Sequence, residues 1–289
     1  MASDLTKAAE RAAIQKLAGV LGLAGFEPGW VWLAGAGPGD PGLVTALGLY
    51  AISAADVILY DALANDALLA LARPGAELIF AGKRAGKKSC KQSDISRTLV
   101  ALARKNKRVL RLKGGDPLVF GRGAEEALAL AEAGVPFRIV PGVTAGIGGL
   151  AYAGIPVTHR DTGHVVTFVT GHGADGKLPD LDWASIAKGS PTLVLYMARQ
   201  FAGEIAERLI AAGRASSEPA AVVANASLDD QAVIVTPLGG LGAAAAASAA
   251  PAILVIGENV RLRERMDWLG AMAGKVLAAP ASSEMKQTG

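Results

Sequence analysis

Short apolar runs alternate with longer stretches whose apolar residues recur at helical spacing, and this rhythm holds along almost the whole chain. In the first half the runs fall at residues 30–34, 56–60, 76–80, 109–112 and 137–140. They are near-continuous in apolar residues, which predicts strands buried on both faces. Between them lie segments of period three to four, such as Leu43, Val44, Leu47, Ala51 and Ile52. Strands separated by helices predict a parallel α/β domain over residues 30–142. Upstream, Leu5, Ala8, Ala12, Leu17 and Val20 share one helical face until Pro28, so residues 1–29 read as an appended helix that packs on a partner.

A second set of runs follows at 165–170, 192–196, 219–223, 232–236 and 252–256. The pair near Ala220 and Val233 is joined through Asn225, Asp229 and Asp230, which predicts a hairpin and hence a mixed sheet. The expected layout is an extension at 1–29, α/β domains at 30–142 and 143–269, and a flexible tail at 270–289. A cleft between two such domains is a default small-molecule site.

Unusual residues are not scattered evenly. Gly35 to Asp40, Tyr60-Asp61, Gly82-Lys83-Arg84, Gly114-Gly115-Asp116-Pro117 and Pro141 to Ala145 all follow strands. In a parallel sheet those loops share the carboxyl edge, where ligands bind. Gly114 and Gly115 allow close backbone approach to a ligand beside the Asp116 carboxylate, and the plain alternative is an ordinary turn. No Gly-x-Gly-x-x-Gly fingerprint of a dinucleotide site precedes them.

Composition narrows the class. The 289 residues are 51% hydrophobic and 19% charged, with a net charge of +3. That describes a soluble globular protein rather than a membrane protein. The start of the chain lacks the pattern of a signal peptide, and Cys90 is the single cysteine, so the expected location is a reducing cytoplasm without disulfides. The three histidines show no ligand spacing, and no metal is expected.

Charge is uneven all the same. Between Lys83 and Lys113 stand twelve Lys or Arg against one acid, Asp94. Such a run is a solvated face, a nucleic-acid patch or a cradle for a polycarboxylate. No aromatic is interleaved as a stacking platform, which argues against nucleic acid.

In this order and spacing the motifs resemble the tetrapyrrole methylases, and within them the branch that methylates uroporphyrinogen III. The likeness runs from about Val31 to Arg263 through Gly35–Asp40, Leu59-Tyr60-Asp61, Gly82-Lys83-Arg84, Arg111 to Arg122, Val140 to Ala145, Ala153 to Asp161 and Leu195-Tyr196-Met197. It implies a two-domain homodimer with the site in the cleft between its domains. It further implies transfer of methyl groups from S-adenosylmethionine to C2 and C7 of uroporphyrinogen III, giving precorrin-2 for cobalamin or sirohaem, with S-adenosylhomocysteine released. The alternative is a later precorrin methylase of the same fold; a non-catalytic RNA-binding protein is a different class of reading. With so short an extension, the dehydrogenase and chelatase module of longer fused relatives is not expected.

Carried over position by position, the resemblance assigns cofactor contacts to Pro38, Gly114, Gly115, Asp116, Val119, Thr144, Ala145, Met197 and Ala226. It makes Asp61 the general base and Lys83 the proton donor. Read from the residues alone, Asp61 caps the following helix and Lys83 pairs with a carboxylate. Arg84, Lys87 and Lys88 are expected to meet substrate carboxylates. His159 and Arg160 either do the same or hold the domain junction through hydrogen bonds. Three positions depart from the family: Ala226 stands for a glycine, Ala232 for an arginine and Lys88 for a histidine.

Overall fold

A computed structural model describes residues 2–82, 92–173 and 176–277. By its internal contacts the chain divides into two compact units, Met1–Thr144 and Ala145–Gly289. The first holds helix α1 (Ala2–Val20), β1 (Val31–Gly35), α2 (Ala46–Ala54), β2 (Val57–Tyr60), α3 (Asp66–Leu69), β3 (Glu77–Phe80), α4 (Gln92–Arg104), β4 (Val109–Lys113), α5 (Gly123–Glu132) and β5 (Phe137–Val140). The strand order is β3-β2-β4-β1-β5. Every pairing is parallel, as the apolar runs predict.

Period two along a strand sends alternate side chains to opposite faces, and the two cores follow it. Trp32, Ala34, Ile58, Leu110 and Leu112 pack with Ala51 and Ile52 of α2. Val31, Leu33, Val57, Leu59 and Val109 pack with Leu99 of α4 and Leu130 of α5 on the other face. The chain therefore leaves β1 for one face and the adjacent β4 for the other. Their loops diverge at a topological switch point, the place in an open parallel sheet where a crevice forms.

Burial on both faces fails at one strand. Glu77 and Leu78 of β3 are exposed, because β3 is an edge strand with a neighbour on one side only. Ser93 lies inside the first turn of α4, which already includes Gln92. The N-terminal helix is seated on its own unit, with Ile14 and Ala18 buried and the Gln15 amide donating to the Ser53 hydroxyl at 3.2 Å.

The second unit holds α6 (Ala145–Tyr152), β6 (Val166–Thr170), α7 (Trp183–Gly189), β7 (Thr192–Tyr196), α8 (Ala202–Ala211), β8 (Pro219–Ala224), β9 (Ala232–Pro237), α9 (Leu241–Ala247), β10 (Ala252–Ile256), α10 (Arg263–Met266) and α11 (Trp268–Met272). Its sheet is ordered β6-β7-β10-β8-β9. Only β6 and β7 run parallel; β8 and β9 form the predicted hairpin and the sheet is mixed. Leu193, Leu195, Val222 and Leu254 pack on Ile205 and Leu209 of α8.

Asp267 closes the C-terminal helices. Burial would raise its carboxyl, yet the Lys275 ammonium at 2.8 Å, the Gly270 N–H and the nearby Arg263 guanidinium together hold it below the usual carboxylate range. Of the expected tail, residues 278–289 lie outside the described residues. No described helix is long and apolar enough to cross a membrane.

Candidate active site at the carboxyl edge of the parallel sheet

The loops after β1, β2, β4 and β5 are tied to one another by backbone and carboxylate bonds. Gly37 and Gly115 form an isolated antiparallel bridge, with the Gly115 N–H donating to the Gly37 carbonyl at 2.7 Å. Gly115 adopts a positive φ of 65°, a region that disfavours side chains. Where β1, β4 and β5 end, a Cβ on Gly35 would lie 2.6 Å from the Gly142 Cα and against the Gly115 carbonyl. Glycine is required there because three main chains meet.

Asp116 acts within this frame. One carboxylate oxygen accepts the Leu118 N–H at 2.8 Å and the other the Gly142 N–H at 2.9 Å. It clamps the β4 loop to the β5 loop, and both oxygens are spent on main chain. The sequence reading, which sets this carboxylate beside a ligand, did not anticipate that use. Pro38 is half-buried after β1, Val119 is half-buried after Asp116, and Thr144 is buried after β5. Leu63, Leu118 and Phe120 are exposed beside them, an apolar rim at 57%, 51% and 38% accessibility.

Asp61 joins the β2 loop to the β4 loop. Its Oδ1 accepts the Leu63 N–H at 3.1 Å and the Gly114 N–H at 3.3 Å, while the Arg111 guanidinium stands 3.8 Å from Oδ2. The side chain is a quarter exposed. Asp61 does not cap α3; Asn65 does, accepting the Ala67 N–H at 2.9 Å while its amide donates to the Gly39 carbonyl.

Among its described residues the basic run does not form one exposed field. Arg111 and Lys113 occupy alternate positions of central β4, so both point to the α5 face and both are buried, around the fully buried Glu126. Arg108 turns to Asp56, and Arg97 pairs with Asp94. Burial, and then the adjacent Arg111, pull the Lys113 ammonium below the usual lysine range, against the attraction of Glu126 and Asp61. The sequence reading missed Glu126; the signal available was the two-residue spacing of Arg111 and Lys113, which puts two cations on one buried face. Lys83, Arg84, Lys87 and Lys88 lie outside the described residues.

In the second unit, Ala145 opens α6, and the Tyr196 hydroxyl accepts the Gly146 N–H at 2.8 Å. Met197 follows with a positive φ of 53° and a half-exposed side chain, an unusual conformation for a non-glycine residue. Ala226 is buried, its methyl 2.6 Å from where a Cβ on Gly149 would stand, so it fills space over α6. His159 exchanges main-chain bonds with Gly163, and its ring accepts the Asp161 N–H at 3.3 Å. Its contacts are those of its own loop, where Arg160 is exposed.

A family model described as Tetrapyrrole (Corrin/Porphyrin) Methylases matches residues 31–242. The chain belongs to the tetrapyrrole methylases. It is 60% identical over 261 residues to a uroporphyrinogen-III C-methyltransferase of a Sinorhizobium species, covering 89% of this chain and 93% of the relative. It is 52% identical to siroheme synthase 1 of Yersinia enterocolitica, where 84% of this chain spans only 51% of the relative. Among solved structures, uroporphyrin-III C-methyltransferase of Thermus thermophilus complexed with S-adenyl homocysteine superposes with a TM-score of 0.71 at 40% identity, over 80% of this chain and 99% of that one. Within the tetrapyrrole methylase fold, the glycine junction and Asp61 both sit at the switch point that β1 and β4 create.

Proposed function

We infer that this tetrapyrrole methylase is an S-adenosylmethionine-dependent C-methyltransferase that acts on uroporphyrinogen III at C2 and C7 to give precorrin-2. The observation that carries the reading is 60% identity to a uroporphyrinogen-III C-methyltransferase along nearly the full length of both chains. The site's chemistry agrees. A glycine-lined edge at Gly114 and Gly115, with exposed Leu118 and Phe120 beside it, suits a flat, partly apolar ligand approaching main chain.

Bound there, S-adenosylmethionine supplies an electrophilic methyl on a sulfonium. By family likeness Pro38, Gly114, Gly115, Asp116, Val119, Thr144, Ala145, Met197 and Ala226 hold it, and Asp116 also keeps its loop in shape. The electron-rich pyrrole carbon needs alignment more than activation, so the protein's main task is to fix approach and exclude water. Once the carbon–carbon bond has formed, the ring is cationic and must lose a proton. Asp61 receives it: this carboxylate is anchored by long bonds to the Leu63 and Gly114 amides and stays partly exposed at the edge. Lys83 is the proton donor and Arg84, Lys87 and Lys88 meet substrate carboxylates, all four by family likeness. His159 and Arg160 are further substrate contacts. The enzyme works in the cytoplasm as a homodimer and requires neither nucleic acid nor metal.

The test is anaerobic incubation with uroporphyrinogen III and methyl-labelled S-adenosylmethionine, followed by mass analysis of the tetrapyrrole. Two added methyl groups are expected. Transfer only to a later precorrin would move the enzyme to another step, and no transfer to any tetrapyrrole would overturn the reading.

A further inference from the structure

Glu126 has no solvent exposure, and its Oε1 is the meeting point of three donors: Arg111 Nε at 3.2 Å, Lys113 Nζ at 3.2 Å and Gln92 Nε2 at 2.9 Å. Its other oxygen has no hydrogen-bond partner among the described residues. The Arg111 guanidinium is fixed further by donating Nη1 to the Leu112 carbonyl at 3.1 Å and to the Leu59 carbonyl at 3.4 Å. What remains is the Nη2 edge, which faces Asp61 Oδ2 at 3.8 Å. That distance is too long for a hydrogen bond and short enough for a strong field in a buried setting.

Two buried cations are thus balanced by one buried carboxylate and by Asp61 at the surface. Without the Glu126 charge, Arg111 and Lys113 would face each other with Asp61 as their remaining carboxylate. The guanidinium would then close on Asp61 and turn a loose contact into a tight ion pair, tying up the lone pairs a base needs. We infer that Glu126 is a positioning residue for methyl transfer, holding Arg111 back from Asp61 so that the Asp61 carboxylate stays free to receive the substrate proton. The inference rests on Asp61 being the base.

The experiment is a double-mutant cycle with Asp61→Asn, Glu126→Gln and both together. It reads kcat for labelled methyl transfer to uroporphyrinogen III alongside S-adenosylhomocysteine affinity by calorimetry. Expected for E126Q is a fall in kcat of about tenfold, within the range for coupled neighbours, and an affinity within about twofold of the parent. The double variant should be no slower than D61N alone, because Glu126 acts only through Asp61. Multiplying losses, an unchanged kcat in E126Q, or a loss of affinity that matches the loss of rate would each overturn the inference. D61N at the parental rate would overturn both this inference and Asp61 as base, whereas a slow D61N with additive losses overturns the inference alone. Should E126Q fail to fold, Arg111→Lys keeps a cation against Glu126 but removes the edge that faces Asp61. The same cycle is then expected to be non-additive with D61N, and additivity there would be equally decisive against the relay.

Discussion

Strands β2 and β4 carry a cluster of carboxylate and arginine at each of their two ends, and the clusters are built differently. At the amino end, Asp56 accepts Arg73 Nη2 at 2.5 Å on one oxygen and the Arg108 N–H at 2.8 Å on the other. Burial would raise this carboxyl, but the Arg108 N–H and the Arg73 and Arg108 charges outweigh burial and hold it below the usual range. Arg73 and Arg108 are themselves pinned, to the Ala55 and Phe26 carbonyls at 3.0 and 2.7 Å. At the carboxyl end, among the described residues, the shortest bond to Asp61 is 3.1 Å and its nearest cation is 3.8 Å away. A carboxylate saturated by short bonds from cations is a structural fastening. One held loosely, with its compensating charges buried behind it, retains lone pairs for a visiting proton.

Breaking the buried cluster outright should give the largest change. Glu126→Ala leaves Arg111 and Lys113 buried without their carboxylate, and removing one partner of a buried pair costs about 3–5 kcal/mol. Urea unfolding should show that loss; a change below about 1 kcal/mol would mean that solvent reaches the pair after all.

Asp56→Asn at the opposite end should cost about 2 kcal/mol near neutral pH, the scale of a charge-assisted hydrogen bond. Because the folded carboxyl lies below its unfolded value, the Asp56 contribution is complete above about pH 3.9 and is lost as the pH falls through the lower folded value. Parent and variant stabilities should therefore converge in acid, while kcat at neutral pH stays within about twofold of the parent, since Asp56 lies outside the site. A kcat loss as large as that of D61N would erase the distinction between the two ends.

The smallest effect sharpens the comparison from outside it. Arg97 pairs with Asp94 on the exposed face of α4, and Arg97→Ala should change stability by less than about 0.5 kcal/mol. A larger shift in thermal unfolding would point to a role for the basic run that its solvated position does not suggest.

Much of the first unit was legible from residue order. Continuous apolar runs announce a parallel sheet, and the glycine and aspartate loops that follow those runs fall at one edge of it. The hairpin of β8 and β9 was readable from Asn225, Asp229 and Asp230. The exposure of β3 was not, because its apolar residues resemble those of a central strand and edge position is set by pairing. Asp116 was legible as a loop residue but not as a clamp, since its second partner, Gly142, is remote in sequence.

What the sequence alone determined is the alternation that makes two α/β units, and the glycines where main chains must touch. Local propensity and side-chain volume act within a few residues and are written in the order of the chain. Tertiary structure alone decided which charges became interior. β4 took the centre of the sheet, its odd positions turned toward α5, and Arg111 and Lys113 passed from an apparent basic surface to a buried balance around Glu126. Charge is a property of the residue, but its solvation depends on which strands and helices become neighbours, and that is settled only when the sheet assembles.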